Sequence, residues 1–152
     1  MDAMSLLKED HQKVKKMLAE LESTTERGVK TREELFTKVK QELVIHEAIE
    51  EEIFYPALKQ HPKTKEITLE AYEEHHVVNT VMAEIEGVSY DDEKWGAKFK
   101  VMKENLEHHI EEEEGEMFKQ AKQVFDKDEL AQLGDSMIAR KEELVRQQAS
   151  AA

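Results

Sequence analysis

The sequence predicts an all-α protein, an antiparallel up-down-up-down four-helix bundle with an additional C-terminal helix. Only five Gly and two Pro interrupt its 152 residues, so long helices can run without a break. Apolar residues recur at spacings of three and four, which is the period of one helix face. The segments between these periodic stretches are short, and short connections make consecutive helices antiparallel neighbours.

The first two predicted helices span residues 6–26, ending before Gly28, and residues 31–59. Pro56 lies near the end of the second helix and predicts a kink or a tightened turn, because proline has no N–H to donate. The inward face of the first helix is predicted to consist of Met4, Leu7, His11, Val14, Leu18 and Leu21. That of the second is predicted to consist of Leu35, Val39, Leu43, His46, Glu50, Ile53 and Ala57.

The third and fourth predicted helices span residues 65–86 and, after a start within residues 89–92, continue to residue 124. The predicted inward face of the third comprises Tyr72, His75, Val78, Met82 and Ile85. That of the fourth comprises Trp95, Phe99, Met102, Leu106, His109, Glu113, Met117 and Val124. Asp126 and Glu129 begin a fifth, amphipathic helix that is predicted to pack outside the bundle. Residues 1–125 are therefore expected to form the bundle, and 126–152 a packing helix with a tail frayed from Gln147.

Charge and composition exclude several classes of partner and site. A net charge of −13 opposes binding to nucleic acid and to anionic membranes, whose phosphates it would repel. The sequence contains no apolar run long enough to span a bilayer and no signal segment, so we expect a cytoplasmic protein. It contains no Cys, which excludes disulfides and thiolate ligands. Any metal must then be held by histidine and carboxylate side chains.

Four histidines occupy inward-facing positions, one on each predicted helix of the bundle. Two of these helices add a glutamate four residues later, one turn further along the same face. Such pairs arise by chance roughly once in a chain this rich in glutamate, so the argument depends on their inward position and not on the spacing. The inward-facing set comprises His11, His46, Glu50, His75, His109 and Glu113.

The burial of two carboxylates favours a metal site. A single inward histidine, such as His11 or His75 taken separately, is more often a hydrogen-bonded core residue than a ligand. Leaving a buried carboxylate unpaired costs several kcal/mol, however, and a pair of metal cations would supply the missing counter-charge. The alternative is a metal-free bundle, which predicts that His46→Ala or Glu113→Ala would stabilise the fold.

Nitrogen and oxygen ligands suit iron or manganese, and the four imidazoles favour iron. A zinc protease would need His-Glu-x-x-His, but position 50 is Glu50 and not a second histidine. Ferritin-like sites need Glu-x-x-His on two helices, whereas Leu43 and Leu106 stand three residues before His46 and His109. A histidine-rich site for two metal ions remains.

Four stretches carry a resemblance to a known family, in the correct order over about residues 4–125. They are Glu9-Asp10-His11, the run from His46 through Glu50 to Pro56, Glu74-His75, and His109 with Glu113-Glu114. With these motifs the chain resembles the hemerythrin-like family, also called the HHE cation-binding domain. The resemblance implies two non-haem iron ions joined by an oxo or hydroxo group, with Glu50 and Glu113 bridging. One iron would be held by His11 and His46, and the other by His75 and His109.

Asn79 marks a departure from the oxygen-carrying members that the chain resembles. Those carry His-x-x-x-His on the third helix, and the acidic ligand of their fourth helix follows at i+5 instead of i+4. Two histidines per iron leave open positions unless Glu47, Tyr72 or water fills them, and open positions favour reaction of a small ligand over reversible oxygen storage. We therefore expect a protein that acts on hydrogen peroxide in a catalase-like disproportionation. The alternatives are an O2- or NO-binding or sensing protein, and an iron donor resembling the iron-centre repair proteins.

Overall fold

The computed structural model of the chain describes residues 1–151, which form α-helices, two π-helical turns and short connections, without a β-strand. The elements are α1 (Ala3–Glu22), α2 (Val29–Ile49), a first π-turn (Glu50–Phe54), α3 (Tyr55–Lys59), α4 (Pro62–Glu86), α5 (Glu93–Glu112), a second π-turn (Glu113–Met117), α6 (Phe118–Val124) and α7 (Lys127–Ala151). The four long helices of the bundle are α1, α2 continued into α3, α4, and α5 continued into α6. The predicted fold class is confirmed.

The helix ends follow local capping chemistry. Asp2 caps α1 by accepting the N–H of Ser5 at 2.8 Å, so the helix begins earlier than predicted. At the start of α7, the Asp126 side chain accepts the N–H of Glu129 at 2.8 Å, and Glu129 returns the bond at 3.1 Å, which is the predicted capping pair. Helix α7 continues through Ala151, past the predicted start of fraying at Gln147. The remaining tail residue, 152, lies outside the described residues.

Two apolar clusters fill the bundle, and a layer of polar residues lies between them. The first cluster contains Leu7, Ile49, Ala71 and Met117, among others. The second contains Val14, Leu43, Val78 and Leu106, among others. Along α1 and α4 the chain passes from the first cluster to the second, whereas along α2 and α5 it passes in the opposite direction. This alternation makes the four helices antiparallel and brings their midpoints into one layer.

The two π-turns correct the predicted inward faces. Beyond Glu50, the sequence predicts Ile53 and Ala57 inside, but these two are only partly buried, and the fully buried side chains are Phe54, Tyr55 and Leu58. A π-turn closes a hydrogen bond from i+5 instead of i+4, so it adds one residue to the turn. Pro56 favours this widening, because its ring would clash with the carbonyl group four residues earlier in a regular helix. Where the sequence predicts a kink or a tightened turn, the structure has a wider, π-helical turn.

Helix α7 packs outside the bundle across α1 and α2, as predicted. A hydrogen-bonded ion pair joins it to the first π-turn, with Arg140 Nε 2.8 Å from Glu52 Oε2. Gly134 allows α7 to pass close to the backbone at the start of the chain, because a Cβ built there would lie 2.3 Å from the carbonyl oxygen of Met1. No helix within residues 1–151 is both long and apolar enough to cross a membrane.

Candidate metal centre

The structure brings all six sequence-predicted site residues together in the polar layer, and all six are buried. Each imidazole directs its Nε2 atom at a carboxylate oxygen of Glu50 or Glu113. His11 Nε2 lies 3.1 Å from Glu113 Oε1, and His109 Nε2 lies 3.4 Å from Glu113 Oε2. His46 Nε2 and His75 Nε2 each lie 3.2 Å from Glu50 Oε1. Four nitrogen donors thus surround two carboxylates at the midpoint of the bundle.

The six residues divide into two groups whose potential ligand atoms lie within 4.8 Å of one another. His11, His46, Glu50 and Glu113 form the first group. His75 and His109 form the second together with Glu50, which belongs to both. The two histidine pairs match those that the family resemblance implies, and Glu50 belongs to both groups, whereas Glu113 belongs to the first alone. Ligation itself stays a prediction.

The outward-facing nitrogen of each imidazole pairs with a further carboxylate. The Nδ1 atoms of His11 and His46 lie 2.6 Å from Glu114 and 2.9 Å from Asp10, respectively. Those of His75 and His109 lie 2.9 Å from Glu51 and 2.8 Å from Glu74. A carboxylate at Nδ1 holds the proton on that nitrogen and leaves the Nε2 lone pair free for a metal. All four histidines are thereby oriented as ligands.

Sequence reasoning missed these four outer carboxylates as partners of the histidines. A signal was available, because each outer carboxylate is the sequence neighbour of a predicted site residue: Asp10 precedes His11, and Glu114 follows Glu113. The imidazole that each of these carboxylates contacts belongs to a different helix, however. Asp10 of α1 pairs with His46 of α2, so the pairing depends on how the helices pack.

Several nitrogen and oxygen atoms at the centre of the layer that could bind a metal have no hydrogen-bond partner among residues 1–151. They are His11 Nε2, His46 Nε2, both carboxylate oxygens of Glu50, and Glu113 Oε1. Buried polar atoms are rarely left unpaired, because each costs about 1–3 kcal/mol of desolvation. Here they converge on one point from four elements, namely α1, α2 and the two π-turns. Nitrogen and carboxylate donors in this arrangement fit a pair of divalent or trivalent cations.

Without a metal, protons supply the balancing charge. Burial opposes charge on His75 and His109, but their hydrogen bonds to Glu50, Glu51, Glu113 and Glu74 outweigh it and raise the pKa of His75 to about 9 and that of His109 to about 10. Burial also opposes charge on Glu113, yet the neighbouring Glu50 carboxyl, His109 and His11 hold the pKa of Glu113 well below its usual range. The layer is therefore built to hold positive charge between its carboxylates.

Tyr55 is an additional member of the layer. Its hydroxyl group donates a short hydrogen bond to Glu113 Oε2 and lies 3.3 Å from His75 Nε2 and 3.4 Å from His109 Nε2. Burial and the neighbouring carboxylates raise the pKa of the phenol well above its ordinary value. The ligand set predicted from the sequence does not include Tyr55, although its oxygen lies among the donor atoms of the second group.

Three other residues lie outside the two groups of central donor atoms. The ring of Tyr72 packs edge-on against that of Tyr55, with centroids 5.3 Å apart. Trp95 belongs to the second apolar cluster, where it packs against Phe99. The side chain of His108 is 65% exposed, compared with 3% for its neighbour His109.

A small cavity of about 10 Å³ adjoins the four histidines, enough for roughly one water-sized molecule. Apolar side chains from Val14, Leu43 and Ile110 contribute to its lining, together with Glu47. Burial raises the pKa of Glu47, which accepts a hydrogen bond from Asn79 at 2.8 Å. Asn79, which stands where oxygen carriers have a histidine, thus holds the glutamate at the cavity.

Comparison with known proteins gives two matches. The family profile described as the hemerythrin HHE cation binding domain matches residues 2–121. A solved structure of a hemerythrin HHE cation binding domain-containing protein from Mycobacterium kansasii is similar at 28% identity, with a TM-score of 0.85, over 95% of this chain and 87% of that chain. No curated protein sequence matches the chain. Helix α7 lies beyond the residues that the family profile covers.

Proposed function

The chain belongs to the hemerythrin HHE cation-binding family, and on that premise we propose that it is a cytoplasmic non-haem di-iron protein that reacts with small oxidants, above all hydrogen peroxide. Two irons joined by an oxo or hydroxo group would be held by His11, His46, His75 and His109, with Glu50 and Glu113 shared between them. The observation that carries the proposal is the convergence of buried, unpaired donor atoms from His11, His46, Glu50 and Glu113.

The size of the cavity beside the histidines supports a small reactant. A cavity of about 10 Å³ favours a reactant of a few atoms, such as peroxide or a diatomic gas, over an organic substrate. Iron held by these residues would supply an Fe(III)/Fe(II) couple, which is the chemistry needed to convert two H2O2 into O2 and two H2O. Apolar walls limit competing water, and the Glu47 carboxyl, held by Asn79, can keep a proton for the departing water.

We further propose that Tyr55 is a ligand of the iron that His75 and His109 would hold. The second donor group contains only three residues, and the phenol oxygen lies within 3.4 Å of both imidazole nitrogens. On binding Fe(III), the phenol would lose its proton to the buffer and neutralise one charge of the metal. This ligand would fill one of the positions that the sequence leaves open.

The Tyr55 proposal has a direct spectroscopic test. Iron-loaded wild-type protein should show a phenolate-to-Fe(III) charge-transfer band in the visible, and Tyr55→Phe should lose that band while its iron content is retained. Tyr72→Phe is the matched control, since Tyr72 packs against Tyr55 without reaching the histidines. A visible band that survives in Tyr55→Phe would contradict ligation by this residue.

Binding or sensing of O2 or NO is the second candidate, and the same cavity favours it because these gases are of similar size. Turnover separates the two. A catalase-like protein releases O2 from added peroxide for many cycles, whereas a binding protein forms a stoichiometric complex. An iron-donor role predicts instead that iron leaves readily for an acceptor apoprotein.

The proposed function is tested by measuring iron content, the oxo-to-iron absorption and O2 release from peroxide on the same sample. Two irons per chain and sustained O2 release are expected. His109→Ala should lose iron and turnover, and His108→Ala, one residue away but exposed, should keep both. A wild-type protein that takes up no iron would refute the site, and two irons without O2 release would favour binding or iron donation.

A further inference from the structure

Helix α7 contributes a cation to the polar layer. Lys141 Nζ lies 2.5 Å from Asp10 Oδ1, and Asp10 Oδ2 lies 2.9 Å from His46 Nδ1. Asp10 is 3% exposed, so the lysine reaches a carboxylate inside the protein. A chain of hydrogen bonds thus runs from Lys141 of α7 through Asp10 of α1 to the His46 ring of α2. The other nitrogen of that ring, Nε2, is a predicted metal ligand.

The Lys141 contact makes the two halves of the layer unequal. Within residues 1–151, no lysine or arginine lies within 4.0 Å of the other three outer carboxylates, Glu51, Glu74 and Glu114. Those three side chains are also 21–39% exposed, compared with 4% for Asp10. Among the four site histidines, His46 alone is therefore linked to a buried, cation-bound carboxylate within residues 1–151.

We propose that Lys141 is a positioning residue of the metal centre: acting through Asp10 it fixes the His46 ring and raises the reduction potential of the iron that His46 would hold. The proposal rests on the proposed function. A carboxylate at Nδ1 makes an imidazole a stronger electron donor, which favours Fe(III). Lys141 draws charge from Asp10 and adds a positive charge of its own, and both effects favour Fe(II).

Lys141 belongs to α7, which lies after residue 121, where the match to the family profile ends. A helix outside the bundle would then set the difference between two chemically similar irons. One charge at roughly 10 Å, with an effective dielectric constant of about 20, changes the Fe(III)/Fe(II) ratio at fixed potential on the order of tenfold. For a one-electron couple this is a shift of about 59 mV.

The test is a spectroelectrochemical titration of the iron-loaded full-length chain. Lys141→Gln should lower one of the two midpoint potentials by about the amount given, and Lys141→Arg should restore it. Asp10→Asn should shift the same couple upward, because it removes the negative charge beside His46. Loosened packing would not be expected to shift the midpoint potential in opposite directions in Lys141→Gln and Asp10→Asn.

Arg140→Gln is the matched control. It removes an equal charge from the neighbouring position of α7 and breaks an ion pair with Glu52, which does not contact a site histidine. An Arg140→Gln shift as large as that of Lys141→Gln would overturn the proposal, as would unchanged potentials in a two-iron Lys141→Gln protein. If wild-type protein binds no iron, the proposed function fails first. The iron content measured before the titration distinguishes these cases.

Discussion

Metal binding should release protons, because the metal-free layer holds them where the metal ions would bind. The pKa of His75 is raised to about 9 and that of His109 to about 10, so both imidazoles are protonated in the metal-free protein at neutral pH. A metal needs the Nε2 lone pair of each ring, and it must displace the proton from that atom. The stoichiometry of proton release therefore reports directly on these two side chains.

The magnitude follows from the two pKa values. At about pH 8, a group with a pKa of about 9 is roughly nine-tenths protonated and a group with a pKa of about 10 is almost fully protonated. Loading both irons should then release about two protons from His75 and His109 alone. His46, whose pKa Glu50 and Asp10 raise against the effect of burial, adds to this number. An unperturbed pair of histidines would release almost none at that pH.

Calorimetric titration with Fe(II) under anaerobic conditions measures this number. The observed enthalpy, plotted against the ionisation enthalpy of several buffers, has a slope equal to the number of protons released. His109→Ala, which should lose the iron that His75 and His109 would hold, should reduce the slope by about two protons, and His108→Ala should leave it unchanged. A slope below one proton in the wild-type protein would refute the description of the layer as a proton-filled metal site.

The pH dependence of the free energy of unfolding is a second test of the raised histidine pKa values, and two further predictions concern the packing of the helices. The pKa values of His75 and His109 in the folded protein exceed the ordinary value of 6.5. Protonation of these two side chains therefore stabilises the metal-free protein fully below pH 6.5, and this stabilisation is lost as the pH rises through about 9 to 10. Urea unfolding across this range should show the loss in metal-free protein; a flat profile would contradict it. Gly134→Ala should cost about 1–3 kcal/mol, since the new Cβ meets backbone atoms, whereas Gly96→Ala, with open space, should gain up to about 1 kcal/mol. Equal effects at the two glycines would contradict the close packing of α7. Arg32→Lys should cost about 1–3 kcal/mol, because lysine cannot replace a guanidinium that bonds Thr24 and Tyr90 and lies 4.3 Å above the Trp95 ring. Unfolding followed by Trp95 fluorescence measures it, and unchanged stability would contradict the role assigned to Arg32.

The fold and the six central residues were predictable because helix geometry links sequence spacing to direction. His46 and Glu50 are four residues apart, so any regular helix that buries one carries the other one turn further along the same face. The short connections then required antiparallel neighbours and brought four such faces to one level. Helix periodicity and short connections are therefore enough to predict the six central residues, and the structure brings their side chains together as expected.

The outer carboxylates could not be predicted in the same way. Asp10 and Glu114 are polar residues in a chain rich in acidic residues, and the spacing along α1 or α5 does not indicate which histidine they meet. His11 of α1 pairs with Glu114 of the second π-turn, 103 positions away in sequence. Such partners are selected by the angle and separation of two packed helices, which are properties of the whole bundle.

The position of Tyr55 shows where a fixed helical period fails. Residues five apart on a regular α-helix differ in direction by about 140°, so a regular helix would turn Tyr55 far from the face of Glu50. In the first π-turn, the N–H of Tyr55 bonds to the carbonyl oxygen of Glu50, and the extra residue brings Tyr55 to within about 40° of that face. The second π-turn repeats this geometry, because the N–H of Phe118 bonds to the carbonyl oxygen of Glu113. Each buried glutamate thus begins a turn that redirects the following residues, and through the first of them a phenol oxygen reaches a layer that periodicity alone assigns to histidine and glutamate.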